Sequence, residues 1–177
     1  VKYTAPYGLV PAHIYKKNSL NFDRFTIPNT ISTEEAQKQL EKQIEQGINL
    51  GDDFYLRIFP ISIQRRGFHA TLLGKTKAIS LLATFFHDDD LLQISRRQLE
   101  WIFGFNPFAS STMYKLGHNY HPLYVAFSLQ MEGALPVGFK TYKEFDKPYW
   151  PTSNNAVFKE IWGHTTGKYL WILADIL

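Results

Sequence analysis

At 177 residues, with 45% apolar and 20% charged side chains, the chain is sized and composed for a single packed domain or a large piece of one. Its net charge of +3 is mild and no run of five basic residues occurs, which argues against nucleic acid as a partner. The absence of cysteine excludes disulfides and thiolate metal sites.

Ten Tyr, fourteen Phe and four Trp call for either an aromatic core or an aromatic binding surface. The opening, VKYTAPYGLVP, has neither a basic nor an apolar segment, so it is not a signal peptide; it reads as the start of a piece cut from a longer chain. The longest apolar run, YLWILA at 169–174, falls well short of the roughly 20 residues of a membrane span, so no membrane partner is expected.

Residues 1–31 carry Pro, Gly and scattered aromatics and predict an irregular docked arm. Ser32-Thr33-Glu34-Glu35 then forms a capping box. Ala36, Leu40, Ile44 and Ile48 recur every four residues and predict a helix over 33–48, stopped by Gly51-Asp52-Asp53. The apolar stretch FYLRIFPISI at 54–63 is broken by Pro60. A second helix is predicted over 67–86, with Ala70, Leu73, Ile79, Leu82, Ala83 and Phe86 as its apolar face. His87-Asp88-Asp89-Asp90 is a tight turn supplying an Asp cap for a third helix over 90–103, which Gly104 ends in the left-handed position.

From 105 to 160 no long period appears. Pro107, Pro122, Pro136, Pro148 and Pro151 punctuate an aromatic-rich stretch, and a loop of that length is functional or tightly packed. Residues 165–177 are apolar almost all round, the pattern of a helix buried on every side. The expected architecture is all-α: one domain or fragment over 1–177, made of helical hairpins with a long aromatic loop before the last helix.

The segment RRGFHATLLGKTKAISLLATFFHDDDLLQISRRQLEWIFGFNPFASS resembles the C-terminal hairpin of glycoside hydrolase family 9 and related six-hairpin glycosidases. The residues carrying the likeness are Arg66-Gly67, the acidic turn Asp88 to Asp90, Gln98-Leu99, the run Phe103-Gly104-Phe105-Asn106-Pro107, Ser110 or Ser111, and Gly117. Near the end, FKEIWGHTTGKYLWILADIL places Glu160 where that family has its general acid. The resemblance spans about 54–177. It implies a partial (α/α)6 toroid, a polysaccharide or oligosaccharide substrate, hydrolysis that inverts the anomeric centre, no cofactor or metal, and a periplasmic or extracellular location. The family's Asp-x-x-Asp base motif lies upstream of this region, and no equivalent occurs here. The resemblance therefore implies a missing N-terminal half of the parent chain, and a piece inactive alone. The family's His-x-Arg clamp is also absent; His118 and His121 stand there without an adjacent Arg.

Glycoside hydrolysis needs two carboxyl groups. Glu160, between Phe158 and Ile161-Trp162, suits the acid role; the plainer reading is a carboxylate placed by the dipole at the start of the last helix. His118 and His121 suit sugar hydroxyls better than a metal, since no third ligand is evident; packed or surface histidines are the alternative. Tyr120, Tyr149, Trp150 and Trp162 are candidate sugar-stacking faces, against core packing, and Pro148-Tyr149-Trp150-Pro151 is the strongest wall of a cleft. Glu144 and Asp146, beside Lys143 and Lys147, read as a surface ion cluster. Two other classes stay open. A toroid polysaccharide lyase would use Tyr120, His118 or His121 as base. A non-catalytic carbohydrate-binding or scaffold module would need no acid.

Overall fold

The computed structural model describes residues 8–19, 31–61, 67–124 and 131–177. In chain order these hold β1 (His13–Lys16), α1 (Thr33–Ile44), β2 (Ile48–Gly51), β3 (Phe54–Arg57), α2 (His69–Phe86), α3 (Asp89–Phe103), β4 (Lys140–Thr141), β5 (Pro148–Tyr149), α4 (Ala156–Lys159) and α5 (Gly163–Ile176). The expected all-α fold, a partial (α/α)6 toroid, is overturned. The chain is mixed α/β, with two small antiparallel sheets beside its helices.

The larger sheet has the order β1-β3-β2, with His13 opposite Arg57 and Lys16 opposite Phe54. Two local signals disguise it. Ile48 completes a four-residue apolar repeat, yet α1 ends at Ile44 and Ile48 begins β2. Gly47 forces that exit: a Cβ there would lie 2.7 Å from the Leu56 carbonyl oxygen, so only a glycine lets the chain turn this close to β3. Gly51-Asp52-Asp53, expected as a helix stop, is instead the β2–β3 hairpin turn, with φ of 96°, 49° and 62° in succession. Pro60 breaks nothing, because β3 has already ended at Arg57. Part of the predicted irregular arm is thus a strand, and its neighbours at 8–12 are docked by Gln98 on α3. That side chain donates to Gly8 O at 2.8 Å and accepts from Val10 N at 2.8 Å, as a peptide group would.

The α2–α3 hairpin is present as expected. Asp88 caps α3 by accepting from Leu91 N at 3.0 Å, and Gly104 leaves it at φ 116°. Asn106 then fastens the turn: its Nδ2 donates to Trp101 O (2.7 Å) and Ser110 O (2.9 Å), and its Oδ1 accepts from Phe108 N. Within the Gly-Phe-Asn-Pro run the buried Asn106 is therefore the staple that folds 105–112 back under the helix end, while Phe105 and Pro107 are exposed. Arg66 lies outside the described residues. At the other end of the chain, Ser32 accepts from Glu35 N at 3.1 Å as a capping box requires, while the Glu35 carboxylate accepts from Gln39.

α2 packs against both α3 and α5. An aromatic cluster of Phe59, Phe68, Trp101, Phe139, Trp150 and Phe158 fills the space around the start of α2, and a second cluster of Leu73, Leu99, Ile102, Met113, Leu135, Tyr169 and Ile172 lies between the three helices. The predicted apolar faces need two corrections. From its middle onward α2 buries Thr76, Lys77 and Ser80 and exposes Leu81, Leu82, Phe85 and Phe86. The last helix is not buried all round, since Leu170 and Trp171 are exposed. The expected surface ion cluster at 143–147 is also revised. Asp146 accepts from the backbone amides of Ile58 and Phe59 and lies 3.6 Å from Arg57, a fully buried guanidinium that also donates to the carbonyls of Gln43, Phe59, Glu144 and Phe145.

Candidate functional site

The first turn of α2 has no side-chain cap. Its orphan amides go to backbone carbonyls of two extended segments: Gly67 N to Val157 O (3.0 Å), Phe68 N to Phe139 O (2.8 Å) and His69 N to Val137 O (3.0 Å). Gly138 permits the approach; a Cβ there would sit 2.3 Å from the His69 ring, at φ 101°. His69 is fully buried. Its Nδ1 donates to Pro136 O at 3.1 Å, which leaves Nε2 as an acceptor 3.1 Å from the Thr112 hydroxyl, whose proton is shared with Ile102 O at 3.2 Å. Burial holds its pKa down to about 4.

On this platform the 136–138 segment binds residues 158–161. Val137 N donates to Glu160 O at 2.8 Å, Gly138 N to Phe158 O at 3.0 Å, and Pro136 pairs with Ile161. Tyr124 flanks the other side, its amide bonded to Lys159 O at 2.9 Å. Glu160 is thus fixed through its backbone from two directions, between the single turn of α4 and the start of α5. Its half-buried side chain accepts from Trp162 Nε1 at 2.9 Å. The Trp162 ring in turn meets His164, with centroids 5.0 Å apart. The geometry joins Glu160 and Trp162, which the sequence offered only as separate candidates, one as acid and one as a stacking face.

The other candidates separate into different surroundings. Trp150 is buried in the aromatic cluster; His121 stands against it at 6.5 Å between centroids, and Lys159 Nζ lies 5.1 Å from its ring centre. Tyr149 is more exposed and packs against Tyr142 and Phe158, so Tyr149 and Trp150 do not present one common wall. Tyr120 packs edge-on against Tyr114, at 5.6 Å. His118 is exposed, and its carbonyl, not its ring, serves the loop by accepting from Ser111 N. Burial, and secondarily the charge of Lys159, lower the His121 pKa.

Sequence reasoning misses Lys159 and His69. Lys159 is fully buried, donates to Thr152 O at 3.1 Å, and is pushed down to about 8 by desolvation. Its one sequence signal is its place beside Glu160, and that is no signal of burial. Among the described residues, no group of three His, Asp or Glu is arranged to hold a metal, and no helix is long and apolar enough to cross a membrane. A cleft of about 340 Å³ lies between α1 and the 143–144 turn, lined by Gln39, Lys42, Gln43, Lys143 and Glu144, and none of the candidates above lines it. Comparison with protein-family models, curated proteins and solved structures finds no match to this chain.

Proposed function

We propose that Glu160 is the proton donor of a site that hydrolyses glycosidic bonds, and that the chain is the acid-bearing part of a glycoside hydrolase acting on a polysaccharide or oligosaccharide outside the cytoplasm. The observation that carries this is the 2.9 Å bond from Trp162 Nε1 to Glu160 Oε2, on a backbone held by Val137. A carboxyl oriented this way approaches a leaving oxygen from a fixed direction, while the indole beside it offers a face to a sugar ring. The likeness of the 66–117 hairpin and the 158–163 segment to family 9 supports the same role; a closed toroid is no part of the reading. The base that activates water comes from outside these 177 residues, so the isolated chain binds oligosaccharides without cleaving them.

The test is leaving-group dependence in the native protein that carries this chain. Glu160→Gln lowers kcat on natural glycosides by about 10²–10⁴-fold, and by far less on aryl glycosides or glycosyl fluorides, whose leaving groups need no proton. Equal losses on both substrates, or turnover by the isolated chain that survives Glu160→Gln, would overturn the assignment.

A non-catalytic carbohydrate-binding module is the second reading. It is favoured by the exposed rings of Tyr120, Tyr124, Tyr142 and Tyr149 in the 105–160 region. It predicts sugar binding unchanged by Glu160→Gln and no turnover in the native protein.

A further inference from the structure

Three cations stand out as buried among the described residues, and two have a carboxylate: Arg57 has Asp146, and Lys77 has Asp175. Lys159 is the third. At 0% exposure its ammonium has, among the described residues, one hydrogen-bond acceptor, Thr152 O, and the face of Trp150. No carboxylate of the described residues pairs with it, and of the sixteen acidic residues of the chain only Asp23 lies outside them. An ammonium carries three N–H donors, and an ammonium kept from water without a countercharge is costly.

A second observation points the same way. Trp150 is 6% exposed, and its Nε1 has no acceptor among the described residues. A buried indole N–H ordinarily finds one. His121 borders the Trp150 ring on the half-exposed side, where Thr152 and Pro122 reach solvent. Two incompletely satisfied donors, a positive charge and two rings thus meet around Trp150, beneath a surface opened by Pro122 and Thr152.

We propose that Lys159, Trp150 Nε1 and His121 form a binding site for a carboxylate, and that its ligand is a sugar acid of the uronate class. The carboxylate supplies the acceptors that Lys159 and Trp150 lack. The sugar ring lies on the His121 side, where Pro122 and Thr152 are exposed. The site is distinct from the Glu160 carboxyl, which is held by Trp162. The proposal does not rest on hydrolysis, because its probe contains no glycosidic bond.

Free D-glucuronate, D-glucose and acetate are titrated into the 177-residue chain, followed by calorimetry and by the indole N–H resonances. Glucuronate is expected to bind saturably, at least about tenfold more tightly than glucose or acetate, and to move the Trp150 indole signal. Lys159→Met abolishes this binding and Glu160→Gln leaves it intact. Trp150→Phe keeps the ring under Lys159 but removes the N–H, and weakens binding several-fold; it decides the matter should Lys159→Met fail to fold. Equal affinity for glucose or acetate, an unmoved Trp150 indole, or full binding by a folded Lys159→Met or Trp150→Phe protein overturns the proposal.

Discussion

The two ends of α2 are built on opposite principles. Its first turn is sunk into aromatic side chains, its amides are tied to the carbonyls of 137, 139 and 157, and His69 and Gly138 touch closely enough that no added atom fits. From its middle onward it faces α5 with Thr76, Lys77 and Ser80. There Asp175 accepts from both the Lys77 ammonium and the Ser80 hydroxyl, Lys77 Nζ lies 4.4 Å from the Trp171 ring centre, and Phe85 and Phe86 point outward at 77% and 64% exposure. One end is specified by shape and the other by charge and hydrogen bonds. The end specified by shape carries the candidate site, since the segment it clamps is the one that holds Glu160.

Substitutions separate the two principles. The largest effect is expected at Gly138→Ala, where both the φ of 101° and a Cβ 2.3 Å from the His69 ring oppose the side chain. A loss of about 4 kcal/mol in urea unfolding is expected, and a loss under about 1 kcal/mol would show that the shape-specified end is loosely packed after all.

His69 comes next. Its folded pKa of about 4 lies below the ordinary 6.5, so the unfolded chain takes up a proton that the folded chain refuses. The contribution is complete above pH 6.5 and is lost as pH falls toward 4, about 3 kcal/mol in all. Urea unfolding from pH 7 to pH 4 on the wild type and on His69→Gln isolates it, and identical slopes would break the comparison.

At the polar end, Asp175→Ala leaves the Lys77 ammonium, with 7% of its side-chain surface exposed, without its carboxylate. About 2 kcal/mol is expected. Burial raises the Asp175 pKa, but the Lys77 and Ser80 hydrogen bonds outweigh it and hold the carboxyl below its ordinary value. This part of the stability is therefore present at neutral pH and fades as pH drops through the carboxylate range, where the Asp175→Ala protein has none to lose. Least is expected of Phe85→Ser: the residue is 77% exposed and its ring meets Phe86 edge-on, so stability changes by less than about 0.5 kcal/mol. A larger loss in the same unfolding assay would mean that the outward face is covered.

What could be read beforehand follows the range of each interaction. Both ends of α3 are legible because their determinants lie within a few residues: Asp88 reaches Leu91, and Gly104 and Asn106 fold the chain back on Trp101. The Glu160–Trp162 contact is just as local, yet the sequence marked the two residues only as separate candidates. The larger sheet is not, because β1 finds β3 some forty residues away, and Ile48 counterfeits one more helical turn. The polar face of α2 also misleads. Apolar periodicity assigns Leu82 and Phe86 to the core, and only the arrival of Asp175 from α5 makes the Lys77 side the inner one. Lys159 had no local mark at all, since its burial is made by Trp150 and Thr152 on a neighbouring turn.

The Gln98 amide has a consequence for the order in which the molecule assembles. It joins α3 to Gly8 and Val10 across 90 and 88 residues of chain, while α2 and α3 meet through a turn of two residues. Closing a long loop costs more entropy than closing a short one, so the helical hairpin is the template on which both distant strands of the chain settle. The 158–161 segment also arrives from far along the sequence. A chain halted after the hairpin forms would already own most of its helix and none of its site, and Glu160 would be among the last residues to find its place.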